Sequence, residues 1–224
     1  MRARELRWLF IAALATLLII AFVAGAQTIG AFAEWDNGHY RFAGGTAPSS
    51  LAYAAVVVVL YVLLLCSPRC EQGQPLPGVF RRFVAFWLDF IFGMSAVAPI
   101  VGILPMILEW RRTGTFAWNF ARTTPALSDT WSVAAGLVLT VTALVFYYAL
   151  PLVRARPSPG ACVAGYLVVP ENGTTLTLGT ALLRTVVGFI AVCGACLAPF
   201  VGRDRKNGKL WVDKIFGTRA VALR

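Results

Sequence analysis

Val79-Phe-Arg-Arg-Phe-Val-Ala-Phe-Trp-Leu-Asp-Phe-Ile-Phe92 opens an apolar run that reaches Leu108. Two arginines stand at its mouth, and one carboxylate, Asp89, lies inside it. An Asp at the centre of a membrane helix costs roughly 2.5–3.5 kcal/mol on insertion scales. A partner charge or a function must offset that cost. At 3.6 residues per turn, Arg82 and Asp89 share one helix face. Ala85, Gly93 and Ala96 fall on the same stripe. The face carries a cation at the interface, an acid about 10 Å deeper, and then small residues that let another helix approach closely.

The 224 residues are 58% hydrophobic and 13% charged, against about 45–50% and about 25% in soluble domains. Several runs reach membrane length, which argues for an integral membrane protein. The net charge of +10 does not point to nucleic acid. The basic residues flank the apolar runs, where lipid headgroups and the positive-inside rule place them. No zinc-finger, basic-zipper or RNA-binding pattern is present. The five cysteines are Cys66, Cys70, Cys162, Cys193 and Cys196, an odd count that does not suggest a disulfide framework. Cys193-Gly-Ala-Cys196 has a redox spacing but lies in an apolar segment, where it reads as small residues packing in a helix. The lone His39 is on a different loop from Cys66 and Cys70, so neither a metal nor a cofactor is expected.

Arg2, Arg4 and Arg7 precede an uncharged run from Trp8 to Ala26. Ala24-Gly25-Ala26 resembles a signal-peptide cleavage site, but the run exceeds a signal core of about 7–15 residues and reads as an uncleaved first span. Glu34 to Pro48 reads as a loop, Ser50 to Cys66 as a second span, and Ser67 to Gly78, with three Pro and two Gly, as a linker. The helix from Arg81 to Leu108 is the third span, kinked at Pro99 and Pro105. Glu109 to Asp129 interleaves Arg with aromatics and reads as an interfacial segment. Trp131 to Val153 is the fourth span. In the polar insert from Arg154 to Arg184, Val163 to Val169 is rich in β-branched residues, Asn172-Gly173 is a hairpin turn signal, and Thr174 to Leu178 alternates. A small cytoplasmic β-hairpin is predicted there. Thr185 to Gly202 is the last apolar stretch, broken by Gly188, Gly194 and Pro199, and a basic tail follows.

Charge decides how that last stretch is read. With the N-terminus in the cytoplasm and five crossings, nine Lys and Arg lie inside and eleven outside, against the positive-inside rule. If the last stretch re-enters or lies tilted, sixteen lie inside and four outside. The prediction is an all-α polytopic membrane protein with four transmembrane helices, a re-entrant or tilted fifth segment, and both termini cytoplasmic. Such a tail brings Asp213 to the face that carries Arg82.

These motifs resemble those of the RDD family of membrane proteins, named for one arginine and two aspartates. Arg82-x2-Ala85-x3-Asp89 resembles its first motif. The family's Gly/Thr/Gly/Lys loop and short strand correspond to Arg156-Pro-Ser-Pro-Gly160 and Val163 to Val169, with Ala161 at the lysine position. Thr177-Leu-Gly-Thr-Ala-Leu-Leu-Arg184 resembles the approach to the last apolar segment. Trp211-Val-Asp213-Lys-Ile-Phe-Gly217-Thr218 resembles the closing motif, with Val212 where His is usual. The resemblance covers residues 78–224 and leaves 1–77 as an added transmembrane hairpin and linker. It implies a bacterial inner-membrane protein of undefined role, with transport of an unknown ligand the usual suggestion and cation/proton exchange proposed for some members.

Two functions are carried forward. In the first, Asp89 binds and releases a proton or cation during transport, since intramembrane acids mark ion pathways. In the second, Arg82, Asp89, Arg184 and Asp213 form a buried charge network that fixes the fold or docks another membrane protein. No internal repeat of the secondary-transporter kind is found, so a homo-oligomer is one way to complete a pathway. The basic cytoplasmic face suits anionic lipid headgroups. The sequence holds no nucleophile motif, His-based acid–base pair, phosphate loop or metal set, and no enzyme is expected.

Overall fold

Helices occupy the apolar runs because a backbone in lipid must satisfy its own N–H and C=O groups. In a computed structural model, residues 3–24, 30–36, 38–68, 72–75, 78–172, 175–194 and 209–223 are described. Helix α1 (Ala3–Ala24) is followed by strands β1 (Gly30–Asp36) and β2 (His39–Gly45), helix α2 (Pro48–Cys66) and strand β3 (Gln72–Pro75). Next come helices α3 (Val79–Val101) and α4 (Ile103–Thr113), strand β4 (Asn119–Arg122) and helix α5 (Leu127–Val153). The chain continues through α6 (Pro159–Ala164), β5 (Tyr166–Pro170), α7 (Leu178–Gly194), α8 (Trp211–Ile215) and β6 (Thr218–Leu223).

Three helical stretches, Pro48–Cys66, Phe80–Thr113 and Leu127–Val153, are long and apolar enough to cross a bilayer, and α1 has 22 residues. Their apolar side chains face outward in runs, such as Val56, Val58 and Val59 on α2 and Leu137, Val138 and Leu139 on α5. Patches of that kind require an apolar solvent, so the surroundings of this protein are lipid. The chain is mostly helical, but two small antiparallel sheets qualify the all-α expectation.

Two compact units divide the chain. One comprises Ala13–Val58 and Gly93–Leu144. Its sheet has the order β1-β2-β4, so the expected loop at Glu34 to Pro48 is largely a β-hairpin. The expected interfacial segment from Glu109 to Asp129 supplies the third strand, with Phe42 opposite Arg122 and Gly45 opposite Asn119. The span beginning at Arg81 breaks at Gly102, three residues past Pro99, and resumes as α4. A Cβ at Gly102 would stand 2.3 Å from the Gly45 carbonyl oxygen, so only glycine lets the break lie against β2.

The other unit comprises Met1–Ala12, Val59–Phe92 and Val145–Arg224. Its sheet has the order β3-β6-β5. Here the hairpin expectation fails. Strand β5 pairs with the C-terminal β6, from Tyr166 opposite Ala222 to Pro170 opposite Thr218. Residues 175–177 have no regular structure, Leu178 begins α7, and Val163 lies in α6. Local alternation named two neighbours as partners, but the more apolar strand β6 covers Leu167 and Val169 with Val221. Within the expected linker, Gln72–Pro75 adds the edge strand. Cys70, the Gly25-Ala26 cleavage position, Gly173-Thr174, Cys196 and the first part of the basic tail lie outside the described residues.

Candidate functional site

Asp89 sits on α3 and is buried. Two of its three hydrogen-bond partners come from a three-residue stretch, Ser158-Pro159-Gly160. A residue before proline is pushed into extended backbone, and proline is suited to the first position of a helix. Ser158 accordingly adopts φ −69°, ψ 164° and caps α6. Its hydroxyl accepts from the Ala161 N–H at 3.4 Å and donates to Asp89 Oδ2 at 2.6 Å. The Gly160 N–H donates to Asp89 Oδ1 at 2.6 Å, and the Tyr147 hydroxyl of α5 donates to the same oxygen at 3.4 Å. Gly160 is obligatory at this approach, because a Cβ there would lie 2.2 Å from the Ala85 carbonyl oxygen. The small stripe expected on α3 is thus realised at Ala85. Among the described residues Asp89 forms no ion pair. Neutral donors, rather than a guanidinium, compensate the buried acid. The group met by the Ser158–Gly160 turn is the protein's own Asp89 carboxyl.

Asp213 organises the second half of the site. It is fully buried on α8. Arg82 Nη2 of α3 lies 2.7 Å from its Oδ2, and Arg184 Nη2 of α7 lies 2.8 Å from its Oδ1. The Thr218 hydroxyl of β6 donates to Oδ1 at 3.2 Å, and the Leu210 N–H donates to Oδ2 at 3.2 Å. Arg184 Nε also reaches Thr218 at 3.3 Å. Burial pushes the Asp213 carboxyl up, but the Arg82 and Arg184 guanidiniums outweigh it and hold it below the usual carboxylate range. The carboxylate therefore stays ionised at neutral pH. Of the four predicted residues, the structure brings Arg82, Arg184 and Asp213 together as one clamp and gives Asp89 a separate set of partners.

A cavity of about 180 Å³ has Asp89, Arg82 and Arg184 in its walls, joined by Arg156, Tyr148 and Phe189. Tyr148 is fixed by donating to the Phe86 carbonyl at 3.1 Å, and its ring packs edge-on against Phe189 at 5.0 Å. Burial pushes the Tyr166 hydroxyl, also in the wall, up to about 12, so it stays neutral. The arrangement offers a carboxylate, guanidiniums and aromatic faces around one void. Among the described residues no group of three or more His, Cys, Asp or Glu side chains is placed to hold a metal ion.

A second buried cluster, in the unit holding Ala13–Val58 and Gly93–Leu144, escaped the sequence reading. Asp129 accepts from Tyr40 at 2.6 Å, from the Ala126 N–H at 3.0 Å, and from Arg122 in a short contact. Arg122 also pairs with Glu109 at 3.3 Å and lies 5.1 Å over the Phe42 ring. The cluster ties β2, β4 and the end of α4 to the start of α5. An acid in the first turn of α5 was a legible signal, since it favours the helix N-terminus. Its side-chain partners, Tyr40 and Arg122, lie on strands that the sequence did not announce.

Residues 76–217 match the sequence model of the RDD family. No curated protein and no solved structure shows significant similarity to the chain.

Proposed function

The chain belongs to the RDD family, and from that premise we propose that it is a non-enzymatic carrier of an ion or small solute in the bacterial inner membrane. Asp89 takes up and releases the coupling proton or cation. The observation that carries this reading is the position of Asp89 in a cavity wall, held by the hydroxyls of Ser158 and Tyr147 and one backbone N–H. An intramembrane acid facing a void marks an ion pathway by default. Hydroxyl partners can reorient when the carboxyl changes state, because a hydroxyl both donates and accepts. The proposal is tested by cation-driven proton flux in proteoliposomes. Wild-type protein is expected to carry flux and a folded, inserted Asp89→Asn variant to lose it. Equal flux in both overturns the role of Asp89, and no flux in either across several cations removes the transport reading.

A second reading is a membrane scaffold or partner subunit whose charges are structural. The bridging of α3, α7, α8 and β6 by Asp213 favours it for the clamp. Arg82, Arg184 and Asp213 are assigned this fixed role even if Asp89 turns over.

The proposed topology keeps both termini cytoplasmic and lets residues 185–202 re-enter or tilt. Support comes from the contact of Arg184 with Asp213 and from the pairing of β5 with β6. A single crossing between residues 184 and 213 would separate them by about 30 Å. A reporter fused after Arg224 is expected to be active only in the cytoplasm, and activity outside overturns the arrangement.

A further inference from the structure

The cavity beside Asp89 is rich in guanidinium groups. Its wall carries three guanidiniums, Arg82, Arg156 and Arg184, and one carboxylate, Asp89. Both Asp89 oxygens already accept hydrogen bonds. One carboxylate, Asp213, serves two of the guanidiniums, while each guanidinium carries five N–H donors arranged in a fork that fits oxyanions. The rest of the wall is apolar, with Phe83, Phe86, Phe189 and Leu152 among its residues. Guanidinium forks and aromatic or aliphatic faces lining one void suit a ligand that carries both an oxyanion and an apolar body. A bare inorganic anion leaves the apolar wall unused.

The geometry points to an anionic amphiphile, a compact oxyanion on an apolar body, as the ligand of this cavity. The source is either an anionic lipid of the surrounding bilayer or a free amphiphilic carboxylate. The inference deepens the transport reading by naming what the cavity takes, but binding is measured without flux, so either can fail alone.

Gly188 supplies the means of testing it. It lies in the cavity wall on α7, and a Cβ added there meets nothing within 4 Å. Gly188→Leu therefore adds a side chain at the cavity wall without a clash, and it improves helix propensity rather than harming it. Arg156→Gln removes a guanidinium other than the two that pair with Asp213. The full-length protein, in uncharged micelles at fixed salt, is titrated with phosphatidylglycerol, dodecanoate, phosphatidylcholine, dodecanol and inorganic phosphate. Bound ligand is counted by native mass spectrometry and followed by tryptophan fluorescence. Wild type is expected to bind phosphatidylglycerol or dodecanoate saturably, and at least tenfold more tightly than its uncharged or zwitterionic counterpart. Gly188→Leu and Arg156→Gln, both folded by circular dichroism, are expected to weaken that binding tenfold or more, and Arg156→Lys to recover part of it. Preference for the phospholipid assigns the ligand to the bilayer, and preference for dodecanoate assigns it to the solute pool. Equal binding of charged and uncharged amphiphiles overturns the proposal. So does binding of phosphate alone as tight as either, or full retention of binding in Gly188→Leu.

Discussion

Asp213→Asn is expected to lower the stability of the protein by about 3–5 kcal/mol, the range for breaking one side of a buried charge pair. The amide has nearly the shape of the carboxylate but leaves two guanidiniums, Arg82 and Arg184, without their counter-charge. Urea or sodium dodecyl sulfate titration in micelles, followed by circular dichroism, measures the loss. Arg184→Gln should cost less, since Arg82 still answers Asp213. The double variant Asp213→Asn/Arg184→Gln should cost less than the sum of the singles, because contacting residues are coupled. The pH dependence has a fixed sign. A carboxyl held below its unfolded value contributes stability that is complete above the unfolded value and is lost as pH falls through the folded one. Wild type should thus keep the contribution at neutral pH and lose it below about pH 4. Asp213→Asn should lack that component of acid unfolding. A variant as stable as wild type at neutral pH sinks the clamp.

Gly160→Ala carries the second large effect. The new Cβ would lie 2.2 Å from the Ala85 carbonyl oxygen and 2.8 Å from the Asp89 backbone nitrogen. These are backbone atoms of α3, which cannot swing aside as a flexible side chain does. Overpacking costs roughly 1–3 kcal/mol in general, and about 3 kcal/mol is expected here because the N-terminal turn of α6 must move off α3. That movement also withdraws the Gly160 N–H and the Ser158 hydroxyl from Asp89. Gly179→Ala is the control, since a Cβ there meets nothing within 4 Å. The two alanines compared in one unfolding series should differ by the whole steric term. If Gly160→Ala unfolds with Gly179→Ala, the close approach of α6 to α3 is wrong.

The two carboxylates, both single acids among apolar neighbours, are solved by opposite means. Asp213 is met by full positive charges and stays ionised as part of the architecture. Asp89 is met by two hydroxyls and one amide, groups that impose no charge of their own. A neutral donor set stabilises a carboxylate less than a guanidinium does, which suits the coupling role proposed for Asp89. This difference separates a fixed clamp from a candidate coupling residue within one motif set.

Much of this is legible in the sequence. Apolar run length identifies a membrane protein, because a helix must cover about 30 Å of hydrocarbon with its own hydrogen bonds satisfied. The helical repeat placed Arg82, Ala85 and Asp89 on one face of α3. The Arg82–Asp213 contact at 2.7 Å brings the tail to the Arg82 end of α3. Local rules therefore determined the membrane class and the long apolar helices. Partner choice was decided only by tertiary structure. Alternation along the chain cannot say which strand covers β5, because any apolar strand satisfies it, and β6 lies some fifty residues away. Nothing in the spacing of Arg82 and Asp89 reveals that the arginine turns to Asp213 while the acid takes Ser158, Gly160 and Tyr147. Those choices depend on how α6, α7 and α8 pack against α3, where contacts between distant residues outweigh the one-dimensional pattern.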